Sequence, residues 1–395
     1  MSRQSFFGKA LTKFPFVPAF SLLAISLSLA LSGCGGGAAN QPIAADDEGG
    51  DAPKTEAVVS KPVSEITFPM KAGKYEVLGI MTDNKDEARA KSNAEDALTK
   101  NPDIACMVGL WAYNPPAILN AVEAIKKTGE IKIVGFDEHP ETLNGIDAGK
   151  IEGTIVQQPF QFGYKSVEYL AAMARGQEVN IPANKMIYIP HSVITKENVA
   201  GFAESIKNIK AGKGTPPKHD RTDYDLSKKV KLIFVCNSVD PFWGLADDGV
   251  KLANPVFNAD CECYQPAGAS AQEQKQKIED FITQGGQGLA LSPIDAENQT
   301  SLIDQASEKM AVICQDSDAP KSKRKFYLGT SNYLAGRSAG ELVKKAIPNG
   351  GKVMIFVGKL EVLNAQERSR GVIDELLGLS IPAEFEDQRK ASEKQ

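Results

Sequence analysis

At 395 residues with 42% apolar content, the chain can bury more than one hydrophobic core, and its length sets an expectation of two or three domains at about 100–200 residues each. A formal net charge of −5 and a pI near 5.5 argue against a nucleic-acid partner, because phosphate binding needs Lys and Arg clustered on one face. The basic run KSKRK at Lys321–Lys325 is too short for that and reads as a solvated loop.

The first 33 residues read as a processing signal. Arg3, Lys9 and Lys13 form a positive segment, Phe20 to Leu31 an apolar stretch, and small residues precede Cys34. Leu31-Ser32-Gly33-Cys34 resembles a bacterial lipobox, which implies cleavage before Cys34 and lipidation of its sulfur; the alternative is an ordinary secretory signal with an incidental cysteine. A spanning helix needs about 20 predominantly apolar residues, and this run is interrupted and ends in small ones. Residues 34–73, rich in Gly, Ala, Pro, Asp, Glu and Lys without periodicity, read as a flexible tether.

From Tyr75 onward, apolar β-rich runs alternate with helical patterns: YEVLGIM, IACMVG, KIVGFD and GTIVQ, then KLIFVC, LALS, MAVIC and KVMIFVG. Between them, apolar residues recur at three and four spacing, as in Ile118, Val122 and Ile125, or Ile278, Phe281 and Ile282. Nearly all-apolar strands separated by amphipathic helices predict an α/β fold of doubly wound parallel sheets covered on both faces. Asn114 before Pro115 and Asn332 before YLAGRSAG are the predicted helix caps. Residues 211–228 (AGKGTPPKHDRTDYDLSK) lack periodicity and read as a linker between two series, 74–210 and 229–378, and the charged tail 379–395 as mobile. Beyond Cys34 there are five cysteines, Cys106, Cys236, Cys261, Cys263 and Cys314, an odd count that leaves at least one unpaired. Cys261 and Cys263 alternate along one strand face, but no second Cys or His pair lies nearby to complete a metal site.

In open parallel sheets, ligands sit outside the carboxyl ends of the strands. The residues there are Asn237, Asp240, Phe242 and Trp243 after one strand, Asp316 and Asp318 after another, and Asp137, Gln157 and Asn114 after three more; Arg368 lies at the helix after Val357. Carboxylates, amides and a guanidinium beside aromatic faces suit a sugar, whose hydroxyls donate and accept while its C–H faces are apolar.

These positions carry a resemblance. Lys231 to Trp243 (KLIFVCNSVDPFW) resembles the opening strand and loop of sugar-binding proteins of the ribose-binding type, and Ile131 to Pro159 (IVGFDEHPE, then TIVQQP) their closing half. The order of the two is exchanged, so the chain is similar to a circularly permuted member of that family over nearly all of Tyr75 to Gly378. The resemblance implies a type I periplasmic-binding-protein fold, two lobes joined by hinge crossovers. Residues 74–210 would then be the permuted closing half, mostly second lobe, 229–326 the first lobe, and 327–378 the remainder of the second. It also implies the site: Asp240-Pro241-Phe242-Trp243, with Asn237, around the sugar ring; Asp316 from the first lobe; Arg368, Asn114, Asp137 and Gln157 from the second. Lys85 stands where the family often has an aromatic and Ser317 where ribose binders carry an arginine, which leaves the sugar open.

The function this resemblance implies is that of a monomeric, lipid-anchored extracytoplasmic binding protein that closes on a monosaccharide and delivers it to an ABC permease, without cofactor, metal or catalysis. Alternatives are a sensor presenting its closed form to a membrane receptor or histidine kinase, a domain-swapped dimer, and a cell-envelope enzyme using Asp137, Glu138 and His139. A helix-start role for His139 is favoured over the last. No helix-turn-helix precedes the lobes and no G-x-x-x-x-G-K-[ST] loop is present, which argues against a repressor and against ATP.

Overall fold

Strands buried on both faces and helices buried on one alternate through most of this computed structural model, which describes residues 63–383, 385 and 386. In chain order the elements are β1 (Met70–Ala72), β2 (Tyr75–Thr82), α1 (Glu87–Lys100), β3 (Ile104–Gly109), α2 (Asn114–Ala124), β4 (Lys132–Phe136), α3 (Pro140–Asp147) and β5 (Gly153–Val156). Next come α4 (Pro159–Ala174), β6 (Met186–Tyr188), β7 (Ser192–Thr195), α5 (Val199–Lys210), β8 (Val230–Val235), α6 (Pro241–Val256), β9 (Ala259–Tyr264), α7 (Ala271–Thr283) and β10 (Gly288–Leu291). The chain continues through α8 (Thr300–Ser307), β11 (Ala311–Gln315), β12 (Tyr327–Gly329), α9 (Asn332–Ala346), β13 (Gly351–Val357) and α10 (Leu363–Leu377).

Among the described residues these strands form two sheets, one per lobe. The first-lobe sheet runs β6-β12-β11-β10-β8-β9, all parallel. The second-lobe sheet runs β1-β2-β13-β3-β4-β5-β7, with β1 and β7 the antiparallel edges. Numbered from β8 to β13 and then from β2 onward, both sheets read second, first, third, fourth, fifth strand, so each lobe has the same doubly wound order. Each sheet is sandwiched: α9 and α10 cover one face of the second-lobe sheet and α1, α2 and α3 the other. In the first lobe, α4 and α6 cover one face and α7 and α8 the other.

The helix after the first strand of each lobe, α6 or α10, packs against the helix arriving from the other lobe, α4 or α9. Paired glycines permit the approach. A Cβ on Gly249 would lie 2.0 Å from the Phe160 carbonyl oxygen and one on Gly163 1.9 Å from that of Ala246; on Gly336 and Gly371 it would lie 2.2 Å from the carbonyls of Arg368 and Tyr333. This contact sets the N-terminal turns of α6 and α10 over the strand ends, where the candidate residues lie.

Several sequence expectations change. Both α4 and β6 belong to the first lobe although they fall within 74–210, and Tyr327–Gly329 pairs with β11 and β6. The division expected at 326/327 therefore moves to Thr330–Ser331, since β12 completes the first-lobe ladder before the chain crosses. Residues 211–228, the expected linker, are held against α4 as a strap. Lys165 on α4 pairs with Glu168 at 2.9 Å and with Asp220 of the strap at 2.8 Å, the Asp220 amide donates to Glu168 at 2.9 Å, and Tyr164 shares a 2.7 Å hydrogen bond with His219. The tether ends earlier than 73, because Val63 is buried against the second-lobe core. Within 379–395, Phe385 stacks on Tyr333 with ring centroids 4.1 Å apart, and residues 387–395 lie outside the described residues. The signal segment and Cys34 lie outside the described residues. Among the described residues no helix is long and apolar enough to cross a membrane.

Candidate functional site

The two lobes place equivalent carboxylates face to face. Asp137 follows the fourth strand of the second lobe and Asp316 the fourth of the first, and each has a left-handed backbone, φ 63° and 59°. In each case the amide donates to the neighbouring fifth strand, Asp137 to Ile155 O at 2.7 Å and Asp316 to Leu328 O at 3.2 Å. Non-glycine residues adopt this conformation at an energetic cost, and here the ladder enforces it, so the carboxylates turn out of the sheets. They line a cavity of about 160 Å³ shared by both lobes.

From the first lobe, Asp240 caps α6 by accepting from the Phe242 amide at 2.8 Å. Asn237 accepts from the Trp243 indole at 3.1 Å and donates to Ser292 at 3.2 Å, and the Phe242 and Trp243 rings meet edge to face at 4.8 Å. Asp316 accepts from Ser292 and Ser317, each at 3.2 Å. From the second lobe, Arg368 donates to Asn332 Oδ1 at 2.9 Å and Leu110 O at 3.0 Å, lies 3.8 Å from Asp137 and covers the Phe136 ring at 4.3 Å. Gln157 donates to Asp137 at 3.0 Å.

Burial pushes Asp137 up to about 6 although Arg368 and Gln157 oppose the shift. Asp316 and Asp240 move upward for the same reason, burial outweighing their hydrogen bonds. Carboxylates in this condition gain from a ligand that brings hydroxyl donors. Further capacity is unused: Gln157 Oε1, Asn364 Oδ1 and Trp111 Nε1 are enclosed without a protein partner, and all three residues line the cavity. Unmet polar atoms in a recess cost free energy until something pairs with them.

Nine of the ten ligand positions expected from sequence line this cavity: Lys85, Asp137, Gln157, Asn237, Asp240, Phe242, Trp243, Asp316 and Arg368. Asn114 does not. It occupies the first helical turn of α2 rather than capping it. Its side chain donates to Asp83 at 2.9 Å and accepts from the Trp111 amide at 3.1 Å, holding the loops behind the cavity wall. The second predicted cap is displaced by one residue, Ser331 capping α9 while Asn332 receives Arg368. Trp243 serves mainly as core, 2% exposed. His139 caps α3 through Nδ1, and both carboxylate oxygens of Glu138 are enclosed without a partner, burial pushing its pKa up. Among the described residues no group of three or more His, Cys, Asp or Glu could hold a metal ion.

Sequence reasoning missed Trp111, Tyr113 and Asn364. Trp111 was findable as a tryptophan just past a strand end. Its place in the wall is set by a tertiary contact: a Cβ on Gly358 would lie 1.9 Å from its ring, so only glycine there admits the indole. Lys85 sits over that ring at 5.6 Å.

A family model described as periplasmic binding protein domain matches residues 55–178 and 232–394. The ribose import binding protein RbsB of Escherichia coli (strain K12) is 30% identical over 110 residues, 27% of this chain and 36% of the relative, so the matched part spans about a third of that relative. The D-allose-binding periplasmic protein of the same organism is 25% identical over 115 residues, 29% of this chain and 37% of the relative. Among solved structures, a Burkholderia graminis C4D1M solute-binding protein in complex with D-arabinose is 29% identical with a TM-score of 0.36, covering 38% of this chain and 52% of that one. With the family model matched on both sides of the strap and two doubly wound lobes around a shared cavity, the chain belongs to the periplasmic binding protein domain family.

Proposed function

We propose that this chain is an extracytoplasmic solute-binding protein that captures a monosaccharide between its lobes and delivers it to an ABC permease, held at the membrane by a lipid on Cys34. The observation that carries the reading is the set of enclosed, unpaired polar atoms on Gln157, Asn364 and Trp111, opposite Asp316 and Asp240, in a cavity of about 160 Å³ shared by the lobes. Such atoms need a small ligand rich in hydroxyls. The names of the relatives, ribose import and D-allose binding, support the same class. The site offers donors and acceptors but no activated nucleophile, which favours binding over catalysis. The repeated strand order of the two lobes supports the circularly permuted arrangement, with the strap joining what would be the family's ordinary ends.

The test is calorimetric titration of the mature chain with pentoses and hexoses, ribose and allose first, alongside Asp316→Asn. The expected result is one monosaccharide binding to wild type and weakened at least thirtyfold in the variant. Absence of binding across the panel by a cooperatively folded protein would refute the reading. Transport is tested separately, by sugar uptake in cells carrying or lacking the chain.

A further inference from the structure

We propose that Cys236 and Cys263 form an intramolecular disulfide that staples the carboxyl end of β8 to that of β9 beneath the cavity. The proposal rests on the extracytoplasmic location in the reading above, but its chemistry does not depend on which ligand binds. The two Sγ atoms are 3.7 Å apart. They lie on neighbouring parallel strands and on one face: Phe234 is the ladder partner of Cys263, Cys236 lies two residues beyond Phe234, and its amide donates to Tyr264 O at 2.8 Å. Cys236 stands opposite residue 265 in this ladder, two beyond Cys263, so closing the sulfurs to about 2.05 Å takes side-chain rotation together with a shift of the backbone just after β8.

The remaining cysteines are less suited. Cys106 is in the second lobe, and Cys314 lies on the opposite face of the first-lobe sheet. Cys261 shares the face but lies two residues earlier on β9, against the core. Cys263 is half-buried and the first point of attack, while Cys236 is fully enclosed, its thiol pushed up by burial and by the adjacent sulfur. The oxidant is a disulfide, either a small one such as glutathione disulfide or the dithiol site of an exported oxidoreductase. The Cys263 thiolate attacks it and releases one thiol; Cys236 then attacks the Cys263 sulfur of the mixed disulfide and releases the second. Two protein thiols and one disulfide become one protein disulfide and two thiols. The staple lies next to the ligand platform, because Cys236 precedes Asn237, which holds Trp243 and Ser292, and its carbonyl accepts from Gln274 at 2.7 Å.

The experiment incubates the folded mature chain with glutathione disulfide, quenches it in acid, denatures and alkylates it, and reads intact mass and peptides. The expected result is a loss of about 2 Da relative to the reduced chain, by the chemistry of disulfide formation. Two fewer alkylated cysteines and a linked peptide pair carrying Cys236 and Cys263 should accompany it, all reversed by dithiothreitol. Cys261→Ser should retain the link and Cys263→Ser abolish it. Recovery of Cys236 and Cys263 as alkylated thiols, or a link mapped to Cys261, would overturn the proposal, and the wild-type map decides even if a variant misfolds. Failure to bind any sugar leaves this readout unaffected, which separates the two proposals.

Discussion

Replacing Arg368 with methionine keeps most of the side-chain volume and removes the charge. The residue is 2% exposed, and its guanidinium lies 3.8 Å from the Asp137 carboxylate while also serving Asn332 and Leu110. At that separation and an effective dielectric near 20, the lost attraction is about 4 kcal/mol, in line with the ~3–5 kcal/mol typical of breaking one side of a buried pair. Asp137, already pushed up to about 6, moves higher without Arg368 and begins to take a proton at neutral pH, which limits the penalty. The expected loss of stability is therefore about 3 kcal/mol at pH 7, smaller at pH 5, where no charge is left unpaired. Urea unfolding followed by tryptophan fluorescence, with Asp137→Asn and the double variant completing a cycle, measures the coupling. A loss that is the same at both pH values, or unchanged by Asp137→Asn, would refute the reasoning.

A half-buried histidine and a buried aspartate give opposing pH dependences. His191, between β6 and β7 and 2.9 Å from Ser338, is pushed down to about 4 by burial from an ordinary 6.5, so the unfolded chain takes a proton first and stability falls as pH drops from 6.5 to 4, by at most about 3 kcal/mol. Asp137, raised from 3.8 to about 6, binds its proton first in the folded state and adds stability as pH falls from 6 to 3.8, by a similar amount. Urea midpoints at pH 7 and 4.5 should show a steeper acid loss in Asp137→Asn and a shallower one in His191→Gln than in wild type. Trp111→Phe keeps an aromatic face but removes the enclosed indole N–H, and titration should show sugar affinity falling about tenfold, roughly 1.4 kcal/mol. Gly358→Ala, whose Cβ would meet the Trp111 ring at 1.9 Å, should weaken the same sugar at least as much with little change in the other lobe's hydrogen-exchange protection. Gly249→Ala forces a methyl onto the Phe160 carbonyl oxygen and should cost about 2–3 kcal/mol of stability by urea unfolding.

The strands were legible because parallel strands covered on both faces must be apolar at nearly every position, as KLIFVC and KVMIFVG are, and the helices between them because burial on one face imposes a three-and-four period. Residues after strand ends were legible for the same reason: a parallel sheet puts ligand-facing groups at its carboxyl edge, and Asp137, Asp316 and Asp240 line the cavity from there. Local chemistry could not say where a side chain turns once the chain has left a strand. Asn114 and Asn332 look like caps in sequence, yet one faces Asp83 and the other Arg368, because neighbouring Tyr113 and Ser331 occupy the cap positions. Residues 211–228 read as a linker because one tyrosine and three acids without periodicity show no partner until α4 presents Lys165, Glu168 and Tyr169 to them. Periodicity and strand ends are properties of neighbouring residues, so the fold class, the apolar strands and most of the cavity-lining positions could be read from the order of amino acids. The lobe that α4, β6 and β12 complete, the entry of Trp111 into the site through the room left by Gly358, and the meeting of Cys236 with Cys263 could not, since each depends on contacts between residues far apart in the chain.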